Sequence, residues 1–194
     1  MKINWKKYID KTADRPPRDI LIEAVKHVSH KGRALDLGAG ALMDSKYLLE
    51  IGFEDVCAVN MDEGFIPYAQ KIKHANFSYM HESLLNLQYP KNTYDLVNAQ
   101  RVFPFLNEHE FASTIDRVLD SIKPGGVFAG MFFGPNDEQI LPDEVHMTRL
   151  SAKKLRSIFT QFDIITLQES ESDHESARGT MKHWHEIGII SKKQ

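Results

Sequence analysis

Hydrophobic positions along this chain fall into short blocks whose spacing alternates between that of a strand and that of a helix. From Arg33 to Gly52 an apolar run (Ala34, Leu35, Leu37) gives way to Gly38 and Gly40. Tyr47, Leu48 and Ile51 then recur at helical spacing, and Gly52 is the stop. Ahead of this block, Ile20, Leu21, Ala24, Val25 and Val28 form one apolar helical face, cut off from the N-terminus by Arg15-Pro16-Pro17. Beyond it the pattern predicts a strand over 55–60 and a helix over 63–73 (Phe65, Tyr68, Ala69, Ile72). A strand near 76–80, a fourth within 93–106 (Tyr94, Leu96, Val97) and a helix over 108–122 follow. Lys123-Pro124-Gly125-Gly126 is a turn signal before a fifth strand, 127–133. Residues 134–150 read as a loop long enough for a lid or specificity segment, and Ser151 as the N-cap of a helix through Thr160. FDIITLQE and HWHEIGIISKK read as two strands of an antiparallel hairpin at the sheet edge. The polar tract 169–182 is the nearest approach to a flexible segment. Strands alternating with helices make an α/β chain with a parallel sheet, and the glycine turn after the first strand makes half of a nucleotide-type site.

Composition narrows this picture. With 194 residues, 42% hydrophobic and 26% charged, the chain suits one domain over 1–194, with residues 1–16 as an N-terminal arm or flap. A net charge of −3 lacks the electrostatic footprint of a nucleic-acid binder. Cys57, the single cysteine, excludes an internal disulfide and lies in an apolar run with Val56, Ala58 and Val59, so it reads as a packed thiol in a reducing compartment. The segment MKINWKKYIDKT has no apolar region of a secretion signal, and no stretch approaches membrane length. A cytoplasmic protein without a membrane partner is therefore expected.

Candidate chemistry begins at Asp36, a carboxylate inside an apolar strand two residues before the first glycine. Having few water contacts there, it needs fixed donors, either loop amides or a ligand ammonium group. A dinucleotide dehydrogenase has an apolar residue at that place and a third glycine where this chain has Met43. The run LDLGAG resembles motif I of the class I S-adenosylmethionine-dependent methyltransferases, E/D-x-G-x-G-x-G, with Leu42 standing at the third glycine. Tyr94-Asp95-Leu96-Val97 and the K-P-G-G turn resemble the same family. WKKYIDKTADRPPRDIL resembles the leading segment of its bacterial small-molecule members, and the whole is closest to the tellurite-resistance type.

That resemblance implies a Rossmann-like seven-stranded sheet with a C-terminal antiparallel hairpin. It also implies S-adenosyl-L-methionine as cofactor and methyl transfer to a small-molecule acceptor. It puts Asp36, Gly38, Ala39 and Gly40 at the cofactor, with Arg15, from the flap, meeting a carboxylate. The residue ending the second strand normally offers a carboxylate to the ribose hydroxyls; here that place holds Asn60, with Met61 next and Asp62 as the substitute. His81, Glu82 and Ser83 fall beside the adenine amino group, and Gln100 closes the fourth strand next to the transferable methyl. Tyr8, Arg101, Phe103 and Phe105 are candidate acceptor contacts, the phenylalanines reading equally as core caps. His183 and His185 share a strand face, but no nearby cysteine or carboxylate pair completes a metal site, so His183 reads as substrate-facing and Trp184 as core. Asn98-Ala99-Gln100-Arg101 lacks the Asn/Asp-Pro-Pro-Tyr/Phe of base-amine methyltransferases, which speaks against nucleic acid as substrate. Such a reaction needs proximity and alignment but no covalent enzyme intermediate. Two other readings stay open. One is an NAD-dependent oxidoreductase, and the other, prompted by Asn60, is a non-catalytic module of the same fold.

Overall fold

The computed structural model describes residues 9, 11–139, 147–177 and 179–194. Its strands are β1 (Arg33–Leu37), β2 (Asp55–Asn60), β3 (Phe77–His81), β4 (Tyr94–Gln100), β5 (Ile122–Phe133), β6 (Phe162–Glu175) and β7 (Met181–Lys193). They form one sheet in the order β3-β2-β1-β4-β5-β7-β6. The first five run parallel, β7 runs antiparallel to β5, and β6 antiparallel to β7. The order reverses between β1 and β4, where crossovers leave to opposite sides and open a crevice at the carboxyl ends.

Both sheet faces are covered near the centre, which is why every residue of β4 is buried. Helices α1 (Asp19–Val25) and α2 (Met43–Glu50) lay Leu21, Ala24 and Leu48 on Ala34, Leu96, Val127 and Ile190. After the short α3 (Ile66–Ala69), helices α4 (Glu108–Ser121) and α5 (Ala152–Ile158) cover the other face. There Phe111, Ile115, Val118 and Leu155 meet Leu35, Leu37, Val97, Phe128 and Ile187. A capping box starts α4: Asn107 Oδ1 accepts from the Glu110 N–H at 2.9 Å, and Glu110 accepts from the Asn107 N–H at 3.0 Å. Ser151 caps α5 by accepting from the Lys154 N–H.

Several expectations are corrected. The K-P-G-G segment lies inside β5, looped out between the pairs Tyr94↔Ile122 and Leu96↔Val127, with Gly125 at φ +77°. Lys123 Nζ then donates to Asp95 at 2.7 Å and closes the bulge. The helix expected over 63–73 starts as a 3-10 turn at Glu63–Phe65 and ends at Ala69. The fourth strand stops at Gln100. The tract 169–182 is mostly strand, because its polar side chains pair across β6 and β7: His183 faces Asp173 (2.8 Å) and Glu171 (3.0 Å). Trp184 is half-buried rather than core, stacked on His174 at 5.2 Å with its Nε1 donating to the His174 carbonyl.

Phe103 is wholly buried, which removes its ring from any acceptor wall. It stacks on Phe132 at 5.7 Å and meets Phe111 edge-on at 5.8 Å. Phe103→Ala should therefore lower stability by about 3–5 kcal/mol in urea denaturation; a loss below about 1 kcal/mol would contradict its place in the core.

Candidate cofactor and acceptor site

Parallel pairing sets the carboxyl ends of β1, β2, β4 and β5 side by side. The β1 turn holds three left-handed residues, Gly38 (φ +65°), Gly40 (φ +53°) and Leu42 (φ +68°). Leu42 thus adopts the conformation the third glycine would supply, at a cost of about 1–2 kcal/mol. Its side chain is wholly buried, which offsets that cost. A Cβ at Gly38 would lie 2.6 Å from Val102 Cγ2, so the glycine admits a protein side chain there as well as any ligand.

A buried hydrogen-bond chain runs from the turn to β4. Ser45 Oγ donates to Asp36 Oδ2 at 2.5 Å, Asn98 Nδ2 donates to Asp36 Oδ1 at 2.8 Å, and Gln100 Nε2 donates to Asn98 Oδ1 at 2.8 Å. Burial, then the neighbouring Asp44 charge, push the Asp36 carboxyl up to about 6. Its ionisation is therefore a cost to the fold: the stability held below the ordinary carboxylate range is lost as pH rises through about 6. Asp44, also buried, is held below its usual range although burial works the other way, because two arginines surround it. Arg15 grips it with both terminal nitrogens (2.9 and 2.7 Å), and Arg18 adds its backbone N–H and Nη1, both at 3.0 Å. The carboxylate that Arg15 meets in this structure is thus the protein's own.

At the end of β2, Asn60 Oδ1 accepts from the Asp62 N–H (2.9 Å) and Asp62 Oδ1 from the Gly64 N–H (2.8 Å), so both candidate ribose acceptors shape the turn. Met61 is exposed, and its carbonyl meets His81 Nε2 at 3.0 Å. Glu82 takes the Ser83 N–H at 2.8 Å and Asn86 Nδ2 at 3.2 Å, bonds that hold its carboxyl below the usual range. Its own N–H reaches the Asn60 carbonyl at 3.2 Å, which ties the two strand ends together.

After β4, Arg101 takes φ +55° and clamps Glu186 on β7 with Nε and Nη2, the latter at 2.9 Å, its guanidinium 5.2 Å from the Trp184 ring centre. Phe105 is half-buried in the following 3-10 turn. His183 alternates with Trp184 and Glu186 and so lies on the other face of β7. Carboxylates face both its nitrogens, Asp173 first and Glu171 second, and this raises its pKa. The structure does not bring His183 to Arg101, and the acceptor role given to it is corrected to a cross-strand ion pair. Tyr8 lies outside the described residues. Among the described residues, no three His, Cys, Asp or Glu side chains come together as metal ligands.

Sequence reasoning missed Ser45, Asp44, Arg18, Tyr79 and Glu186 as parts of this site. Tyr79 presents a buried hydroxyl with no partner among the described residues, packed beside Ala39 and Leu42. A signal existed for the polar chain: Asn98 and Gln100 sit two apart in an apolar strand, the same anomaly that singles out Asp36.

Comparison with known proteins agrees with this geometry. Residues 35–130 match the family of methyltransferase domains. A search of curated proteins finds no match. Among solved structures the chain is similar to TehB from Haemophilus influenzae, with a TM-score of 0.77 and 18% identity over 96% of this chain, which spans 66% of the TehB chain. It is also similar to 1,6-didemethyltoxoflavin-N1-methyltransferase from Burkholderia thailandensis, with a TM-score of 0.72 and 16% identity over 97% of this chain and 81% of that one. The N-methyltransferase NodS from Bradyrhizobium japonicum is a third, with a TM-score of 0.67 and 12% identity over 98% of this chain and 99% of that one. The last two were crystallised with S-adenosylhomocysteine. With residues 35–130 matching a methyltransferase domain and set in this seven-stranded sheet, the chain has the Rossmann-like fold of the class I methyltransferases and is similar to TehB.

Proposed function

We propose that this chain transfers a methyl group from S-adenosylmethionine to a small-molecule acceptor and holds its cofactor across the carboxyl ends of β1, β2 and β4. The observation that carries the cofactor reading is the Asp36 carboxylate. It is buried, bonded by two neutral donors, and has no cation in contact among the described residues. A carboxylate in that state is destabilising in the free protein, and a ligand ammonium group offsets the cost. A pyrophosphate would instead meet like charge there.

The surrounding residues fit the same group. Gly38, Ala39 and Gly40 let backbone approach the ligand, and Asn60 and Asp62 offer oxygens at the end of β2 where ribose hydroxyls would come. Tyr79 brings an unused hydroxyl to the same crevice. Glu82 and Ser83 border the place of the adenine. Arg15 and Arg18 bring two positive charges next to the amino-acid end, with Asp44 holding them until a ligand carboxylate competes. When bound, S-adenosylmethionine supplies a methyl group on a sulfonium already activated for displacement. The protein's part is then to bind, align and exclude water. Support for a small acceptor comes from the similar Burkholderia enzyme, crystallised with 1,6-didemethyltoxoflavin.

Two expected outcomes follow. S-adenosylmethionine and S-adenosylhomocysteine should both raise the melting temperature by mass action while NAD and NADP do not, and a panel of small metabolites should gain methyl groups detected by mass. Stabilisation by NAD alone, or methylation of macromolecules only, would contradict the reading. For the ribose contact, Asp62→Ala should weaken cofactor affinity by about 1.5–3 kcal/mol in calorimetry, the range for a hydrogen bond to a charged group. A silent Asp62→Ala beside a costly Asn60→Ala would move the contact to Asn60.

A further inference from the structure

Residues 134–138 leave β5 at the carboxyl ends of the strands and are stitched to β7. The Gly134 N–H donates to the His185 carbonyl at 2.7 Å, and the Glu138 N–H to the His183 carbonyl at 3.0 Å. The His183 and His185 N–H groups donate back to Glu138 Oε2 (2.9 Å) and Asp137 Oδ2 (3.2 Å). Buried Lys182 holds the other Asp137 oxygen at 2.5 Å, with its ammonium 4.2 Å from the Trp184 ring centre and 4.5 Å from that of Phe133. Arg149 Nε donates to the Asp137 carbonyl at 2.8 Å. Beside it, Thr148 bonds the Pro104 and Leu106 carbonyls, so the stitch reaches the turn after β4.

One imidazole bonds this segment directly. His185 is 3% exposed, and its ring lies against Gly134, where a Cβ would collide with it. The Asn136 N–H donates to His185 Nδ1 at 3.1 Å. A backbone N–H only donates, so Nδ1 carries the lone pair and the ring proton sits on Nε2. Nε2 indeed meets a carboxylate, Glu169 Oε1 at 2.7 Å, so two separate contacts assign the same neutral tautomer. A competing arrangement is already in reach. Glu171 Oε1, which takes Asn136 Nδ2 at 3.1 Å, lies 3.5 Å from Nδ1. A proton on Nδ1 would face the Asn136 N–H as donor against donor, and Glu171 is the acceptor it could turn to. Glu169 and Glu171 favour a positive ring; His183, bonded to Glu171 Oε2 at 3.0 Å, and Lys182, whose charge Asp137 meets, oppose it.

We propose that His185 is a proton-operated latch on the segment that leaves β5. Neutral, it accepts from Asn136 and holds residues 134–138 on β7. As the imidazolium it gives its Nδ1–H to Glu171 and lets them go, which frees the edge of the crevice between β5 and the turn after β4. Two discrete arrangements of the same side chains, biased by one proton, are what a switch needs. The latch does not depend on the methyl-transfer reading, and its test uses no ligand.

The test is nitrogen NMR on the full chain as the pH is lowered from 8 to 5, with wild type and His185→Asn compared. At pH 8 the His185 signals should report a bare Nδ1 and a protonated Nε2. At pH 5 both nitrogens should carry protons. Over the same range the exchange protection of the Asn136 amide, corrected for its intrinsic rate, should fall by about tenfold or more, as for one lost hydrogen bond. In H185N the side-chain carbonyl takes the place of Nδ1 as acceptor and binds no proton, so the Asn136 amide should keep its protection at pH 5. A protonated Nδ1 at pH 8, or a ring that stays neutral down to pH 5, overturns the proposal. So does an imidazolium formed while Asn136 keeps its protection. Failure of H185N to keep that protection at pH 5 also overturns it, since Asp137, whose pKa burial raises, would then govern the segment.

Discussion

A carboxylate buried at the carboxyl end of a parallel strand is the constraint on which this crevice depends. Asp36 needs donors, and the chain meets that need with Ser45 from the first turn of α2 and Asn98 from β4. Those two bonds pin the glycine turn against the neighbouring strand. They also impose a direction on every amide beyond them, so that the polarity of Gln100 follows from a charge two residues deep in the sheet. Close by, Asp44 draws Arg15 and Arg18 onto the start of α2, so a second buried carboxylate fixes the segment that enters α1. The site is thus built from charges that the fold alone would do better without.

Most of the architecture was legible because it follows from period. The 55–60 strand, the 108–122 helix and the Ser151 cap were read from apolar spacing and a cap residue, and the structure has them there. What escaped has a physical reason in each case. Gly125 and Gly126 carry a turn signal, but a turn looped out between two paired positions leaves the same signal as one that precedes a strand. The outer part of the β6 and β7 ribbon, over 169–175 and 181–186, is mostly polar, and it is held by Glu171, Asp173 and His183 across the ladder, which no hydrophobic pattern can reveal. Phe103 sits in a stretch without period, where core and pocket wall look alike until Phe111 and Phe132 are seen to enclose it.

The candidate site was legible where one residue breaks a local rule, as at Asp36, Gly38 and Gly40. It was not legible where two ordinary residues meet from distant elements. Nothing in the sequence pairs Arg15 with Asp44, 29 positions apart, or Arg101 with Glu186, 85 positions apart. Leu42 is instructive: it departs from the family pattern at the third glycine, yet the backbone there is left-handed, with the leucine buried and the helix starting directly after it.

The central claim is that Asp36 binds the cationic end of the cofactor in its ionised form, and its titration is the direct test. Because burial and Asp44 push its carboxyl up to about 6 in the free protein, binding of an ammonium group must first deprotonate it at lower pH. Calorimetric affinity for S-adenosylhomocysteine, measured from pH 5 to 8 at roughly constant ionic strength, should rise through about 6 and then level off in the wild type. In Asp36→Asn it should be weaker and flat over the same range. A flat profile in the wild type, or an unchanged rise in the variant, would contradict the account.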